Sequence, residues 1–188
     1  MRFKVLVFAL FLPLCMLAQD FSRDSMYHQV SHQVLEQLSI YRTCSSFSNE
    51  GKRNEFKSLF DGNSTKIAND IIHLNDFKTP IILKDYMSAI QKNYNRLNVD
   101  IKILELEPIK FQTSNSGTID VHIQKTISGE NIKNKITIDK ENEKIKYEAT
   151  FNLIFTFNFN ENNLSISNIK FKDFPSKIMV LTPQIKYS

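Results

Sequence analysis

The stretch "IKYEATFNLIFTFNF", Ile145 to Phe159, decides the fold class of this chain. Ile145, Tyr147, Ala149, Phe151, Leu153, Phe155, Phe157 and Phe159 all fall on odd positions, and polar or small residues fill most of the even ones. Strict alternation puts one set of side chains on one face of a strand, so eight apolar residues in a row describe a long strand with one face in the core. Residues 160–163, "NENN", then form a hairpin turn into "LSISNIKFKDF". Upstream, "TIDVHIQKTI" sets Ile119, Val121 and Ile123 against Asp120, His122 and Gln124. The segment "DKENEK" is read as the turn joining "NKITI" to the long strand.

Two strands change parity. Ile101 and Ile103 give way to Leu104 and Leu106, and Leu164 and Ile166 give way to Ile169 and Phe171. A one-residue switch of this kind is the mark of a β-bulge, which bends the sheet that holds it. "KIMVLTPQIKY" is read as an edge strand, because Pro183 has no N–H for a central ladder.

The first half of the chain has a different period. Tyr27, Val30, Val34, Leu38 and Tyr41 recur at three- and four-residue steps, which predicts an amphipathic helix capped near Asp24 or Ser25. After a polar break, "SSFSNEGKRN", the segment "EFKSLF" predicts a shorter helix. Leu83, Tyr86, Met87, Ile90, Tyr94 and Leu97 predict a third. The expected architecture is α+β: N-terminal helices packed on a strongly curved antiparallel sheet.

Residues 1–18, "MRFKVLVFALFLPLCMLA", stand apart. Arg2 and Lys4 precede a continuous apolar run, and Ala18 supplies a small residue before Gln19 and Asp20, the layout of a secretory signal peptide. Residues 19–188 are then a single domain, exported to the periplasm or beyond. A lipid anchor at Cys15 is disfavoured by Leu14 and Pro13 before it, and no later segment is apolar enough to cross a membrane. Cleavage removes two of the 24 basic residues, leaving them near balance with the 20 acidic ones. That balance, with lysines scattered singly among strand residues, argues against a nucleic-acid partner. It also leaves Cys44 alone, so no intramolecular disulfide can form, and the thiol reads as a small hydrophobe.

The order helix, helix, short strand, helix, then long bent antiparallel strands resembles the nuclear transport factor 2-like superfamily. "ANDIIHLNDF", followed by "PIILKDYMSAI", is similar to the segment of its polyketide-cyclase-like branch in which a strand ending in histidine leads through a loop into the third helix. "EFKSLF" resembles the end of that branch's second helix. The resemblance implies a cone whose interior, in the enzymes, holds a carboxylate or a His–Asp pair as general base, with a polarising donor such as tyrosine. His73 matches the strand histidine, and Asp70 begins the same strand. Asp76 has the parity of Asp70, opposite to that of His73, and belongs with Asn75 to the turn that follows. His122 and Asp120 form the second candidate pair, on whichever side of the sheet their parity places them.

Phe151 and Phe155, with Tyr86 and Tyr94, are the residues expected to wall an apolar ligand site. No metal or other cofactor is expected: His28 and His32 share a helix face but have no further ligands in the pattern, and "HQVSH" lacks the glutamate of a zinc-peptidase motif. The uncharged face of the long strand (Thr150, Asn152, Ile154, Thr156, Asn158) suits a homodimer contact centred on Ile154. The functional expectation is a non-catalytic module that binds a small apolar ligand or a protein partner, with no membrane contact after cleavage. The alternative is a small isomerase, cyclase or hydrolase-like enzyme using a His–carboxylate pair. A third expectation is strand addition at the C-terminal edge.

Overall fold

A computed structural model describes residues 3–71, 79–131, 146–161, 163–173 and 178–181. Three helices, α1 (Phe3–Cys44), α2 (Glu50–Ser58) and α3 (Leu83–Asn93), pack on one face of an eight-stranded sheet. The strands are β1 (Lys66–Ile67), β2 (Ile81–Ile82), β3 (Tyr94–Leu106), β4 (Lys110–Thr113), β5 (Ser116–Asn131), β6 (Lys146–Asn160), β7 (Asn163–Asp173) and β8 (Ile178–Leu181). They run in the order β2-β1-β7-β6-β5-β3, with β4 added to β5 and β8 added to β6. All pairings are antiparallel except the short one between β1 and β7. The fold is therefore the expected α+β class with a curved antiparallel sheet.

The inward face of β6 is the odd one, and Phe151, Leu153, Phe155 and Phe157 are essentially inaccessible to solvent. Directly across on β5, Ile119, Val121 and Ile123 pair with Phe157, Phe155 and Leu153. The helices cover this face with Val30, Val34, Leu38 and Tyr41 from α1, Phe56 from α2, and Leu83, Tyr86 and Ile90 from α3. Ring contacts knit the layers together: Tyr41 meets Phe56 at 4.9 Å and Phe155 at 5.1 Å between centroids. Edge-on and tilted rings at such distances add roughly 0.5–1.5 kcal/mol per pair beyond the area they bury.

Both parity switches are register shifts in the ladder. One falls between Ile103 and Glu105 on β3, and the other lies on β7, where Asn168 pairs with Thr156 but Ile166 already pairs with Phe157. Each extra residue bends its strand, and together they curl the sheet around the helices.

Several boundaries differ from the sequence expectation. The third helix stops at Asn93, and Tyr94, with φ −115° and ψ 131°, is already extended. The steps from Ile90 to Tyr94 and on to Leu97 imitate a helical stripe because another register shift, between Tyr94 and Arg96, sits at the start of β3. There Gly129 lets the two backbones close: a Cβ on it would lie 2.5 Å from the Arg96 carbonyl oxygen. The second helix starts inside the segment read as a polar break, because Asn49 caps it by accepting the Lys52 N–H at 2.9 Å. The hairpin partner β4 has only one half-buried apolar residue, Phe111, and so carries no alternation to read. The first helix extends well beyond the expected stripe, from Phe3 to Cys44, and among its residues from Arg23 onward the buried ones run from Val30 to Cys44. The turn "DKENEK", the whole of "NKITI", and Pro183 lie outside the described residues.

Candidate active site inside the cone

The core described above contains one charged cluster. Lys125 stands on the inward face of β5, in the parity series Ile119, Val121, Ile123, Lys125, Ile127, and is completely buried. Its Nζ donates to Asp70 Oδ2 at 2.7 Å, to the Tyr41 hydroxyl at 2.9 Å and to the Tyr86 hydroxyl at 2.9 Å. An ammonium has three protons, and all three are used. Four separate elements converge here: β5 brings Lys125, α1 brings Tyr41, α3 brings Tyr86, and the segment after β1 brings Asp70.

Each position follows from local structure. Tyr41 and Tyr86 continue the apolar stripes of their helices, with rings in the core and hydroxyls needing a partner. Asp70 follows the two-residue strand β1, in a tight bend where its N–H donates to the Ala68 carbonyl at 3.0 Å. Its carboxylate is buried, and among the described residues Oδ1 has no hydrogen-bond partner.

The cluster's protonation is governed by burial and mutual charge. Burial pulls Lys125 down, but the Asp70 charge and the hydrogen bonds to it outweigh that, and the lysine lies above its ordinary value. Burial pushes the Tyr41 phenol up, although Lys125 opposes it. Burial and the nearby Asp70 carboxylate hold the Tyr86 phenol well above its usual range. At neutral pH the centre is an ammonium and two intact phenols around a carboxylate. Each phenol accepts from Lys125, and the Tyr86 hydroxyl is also engaged with Asp70 and Tyr41, which leaves Tyr41 with a proton to donate.

The residues singled out from sequence are distributed between two faces of the sheet. Asp70 lies in the cone interior. His73 and Asp76 lie outside the described residues. Phe151 and Phe155 line the inward face, Phe151 directly opposite Lys125 in the ladder, and Tyr94 is buried where α3 passes into β3. His122 and Asp120 lie on the outer face, away from the helices. There His122 Nε2 is 2.7 Å from Glu107 Oε1, and Asp120 instead bonds Lys110 at 3.0 Å and Thr156 at 2.7 Å. The structure thus joins Asp70 to Tyr86 but places His122 and Asp120 on the opposite side of the sheet. His28 and His32 are exposed on α1. Cys44 is buried and donates to Glu55 Oε2 at 3.1 Å, and burial pushes its thiol up.

Lys125 and Tyr41 were not identified from sequence as site residues. The signal for Lys125 was present: a lysine in the inward register of an otherwise apolar strand face must find a carboxylate. Its absence from the candidate set came from ending the alternation of β5 at Ile123.

No protein-family model matches the chain, and no curated protein matches it in sequence. Solved structures do match in shape. A hexachlorocyclohexane dehydrochlorinase (LinA, type 2) superimposes with a TM-score of 0.56 at 9% identity, covering 87% of this chain and 94% of that one. A protein of Kribbella flavida gives 0.52 at 10% identity, covering 81% of this chain and 95% of its own. With its helices on the concave face of a curled sheet and a polar centre between them, the chain shares the cone-shaped α+β fold of these solved structures.

Proposed function

We propose that the cone is a proton-transfer site for a small, largely apolar molecule, with Asp70 as the carboxylate base. The observation that carries this reading is the Asp70 carboxylate itself: Oδ2 is fixed by Lys125, while Oδ1 is buried and unpartnered among the described residues. A buried charged cluster is seldom the most stable way to fill a core, and groups held like this concentrate where chemistry is done. Tyr41, polarised by the ammonium behind it and accepting from Tyr86, supplies a donor for an oxygen that gains negative charge as a proton leaves the neighbouring carbon. Lys125 holds the carboxylate and both phenols in place, and with its three protons committed it is neither a base nor a nucleophile. The dehydrochlorinase among the fold neighbours is an enzyme, which supports a catalytic use of this cone shape over a purely passive one.

The test needs no knowledge of the substrate. Proton abstraction beside a carbonyl exchanges that hydrogen with solvent, so the protein in D2O should catalyse deuterium uptake into cyclohexanone or β-tetralone, read by proton NMR. Asp70→Asn should lower the rate by about 10²–10⁴-fold, the usual contribution of a positioned base, with circular dichroism confirming the fold. No exchange above buffer with either ketone, or equal exchange by Asp70→Asn, overturns the reading.

A second reading is favoured by the saturated lysine: a non-catalytic module in which the cluster clamps four elements and the surrounding aromatics hold an apolar ligand. A ligand that co-purifies, is seen by native mass spectrometry, and is unaltered on incubation would support it. Export, inferred from residues 1–18, belongs to both readings, as does pairing of two copies through the outer sheet face around Ile154.

A further inference from the structure

On the outer face of the sheet, His122 stands between two competing partners for one nitrogen. It is largely buried, with only 10% of its side chain accessible. Nε2 lies 2.7 Å from Glu107 Oε1, in the segment following β3. Nδ1 lies 2.8 Å from Lys172 Nζ on β7, and 3.6 Å from Glu105 Oε2 on β3. Glu105 is also the ladder partner of His122, immediately after the β3 register shift.

These distances define a protonation state. An ammonium has no lone pair, so Lys172 can only donate, and Nδ1 must then carry a lone pair. The remaining proton sits on Nε2 and is donated to Glu107. The imidazole in this arrangement is neutral, with its tautomer fixed from both sides. A proton added at Nδ1 turns the 2.8 Å contact into two donors facing each other and leaves Lys172 without an acceptor there. Glu105, three-fifths exposed, needs to approach by less than an ångström to reach the about 2.8 Å of a charge-assisted hydrogen bond.

We propose that His122 is a proton-operated switch that exchanges Lys172 for Glu105 at Nδ1. The other charged groups around it are accounted for. Asp120, on the same strand, is held by Lys110 of β4 and by Thr156 of β6, and Lys110 also meets Glu107 at 3.3 Å. Lys170, on β7, is in register with Ile154, the residue of β6 directly across from His122. Nothing else described on the face offers Nδ1 a carboxylate. Protonation therefore releases Lys172 from the face and draws Glu105 across the β3 bulge. This changes the charge pattern at the middle of the outer sheet while the cone interior keeps its own buried network.

Long-range proton–nitrogen NMR of the imidazole reads the switch directly. At the alkaline end of a pH series, about pH 8.5, His122 should show the Nε2–H tautomer. At about pH 5 both nitrogens should be protonated, with a new coupling of Nδ1–H to the Glu105 carboxylate. Lys172→Met removes the donor that opposes protonation and should move the His122 midpoint up. Glu105→Gln removes the acceptor of the charged form and should move it down. Lys57→Met, on the far side of α2, serves as a control with no shift, and backbone spectra confirm that all variants are folded. A Nδ1–H tautomer at high pH, or both partner variants titrating like the parent, overturns the proposal.

Discussion

Replacing Lys125 by methionine tests how the cone interior is held together. Methionine has nearly the reach of lysine and fills the same space, so the change removes charge and hydrogen bonds with little change in packing. What it leaves is a buried carboxylate deprived of its 2.7 Å partner, and two phenols that lose the ammonium 2.9 Å away. Breaking a buried pair by removing one member costs about 3–5 kcal/mol, because the surviving charge is stranded. For a chain of this length each kcal/mol moves the midpoint by about 2–4 °C, so Lys125→Met should melt roughly 6–20 °C below the parent. Pairing the change with Asp70→Leu removes both charges and should return stability to within about 1 kcal/mol of the parent, since apolar replacements of whole buried pairs are often neutral or better. Urea denaturation of the parent, both single variants and the double variant closes the cycle. A single variant within about 1 kcal/mol of the parent, or a double variant whose losses simply add, would refute the description of this cluster as a tightly coupled buried pair. The double variant also separates stability from chemistry: it should fold well and catalyse no ketone exchange.

Three further expectations concern other parts of the molecule. Tyr41, Tyr86 and Lys125 all lie above their ordinary values when folded. The stability they contribute is therefore complete below about pH 10, where the unfolded groups begin to ionise, and falls as pH rises toward the folded values, by up to ~1.4 kcal/mol per pH unit per group. In an alkaline titration followed by tyrosinate absorbance, Tyr41 and Tyr86 should ionise only together with unfolding, and a reversible early ionisation of either would contradict their burial. Asn49→Ala removes the acceptor that caps α2 and should cost about 1 kcal/mol in denaturant melts; no loss would mean that the cap is replaced by water. Gly129→Ala forces a methyl against the Arg96 carbonyl at the β3–β5 bulge and should cost about 1–3 kcal/mol, with hydrogen exchange accelerated locally along those two strands.

The bends of the sheet were legible in the sequence because a bulge shifts the side-chain period by one residue, and that shift survives in the order of apolar residues on β3 and β7. The end of α3 was not legible for the same reason run in reverse: a bulge at the start of β3 reproduced a helical spacing across Tyr94 and Leu97. Faces were harder to assign than elements. The pair of His122 and Asp120 has a definite parity, but one sequence does not say which parity faces the helices until the apolar series of the same strand is followed to its end. Carried past Ile123, that series passes through Lys125 to Ile127, and the lysine both assigns the inward face and demands a buried carboxylate to meet it. Asp70 was singled out beside His73 for its place at the start of a short strand, yet the partner the structure gives it comes from β5, 55 residues further along. A local motif can mark where a carboxylate enters a core. What that carboxylate does there depends on the lysine and the two phenols that the topology brings to it from three distant parts of the chain.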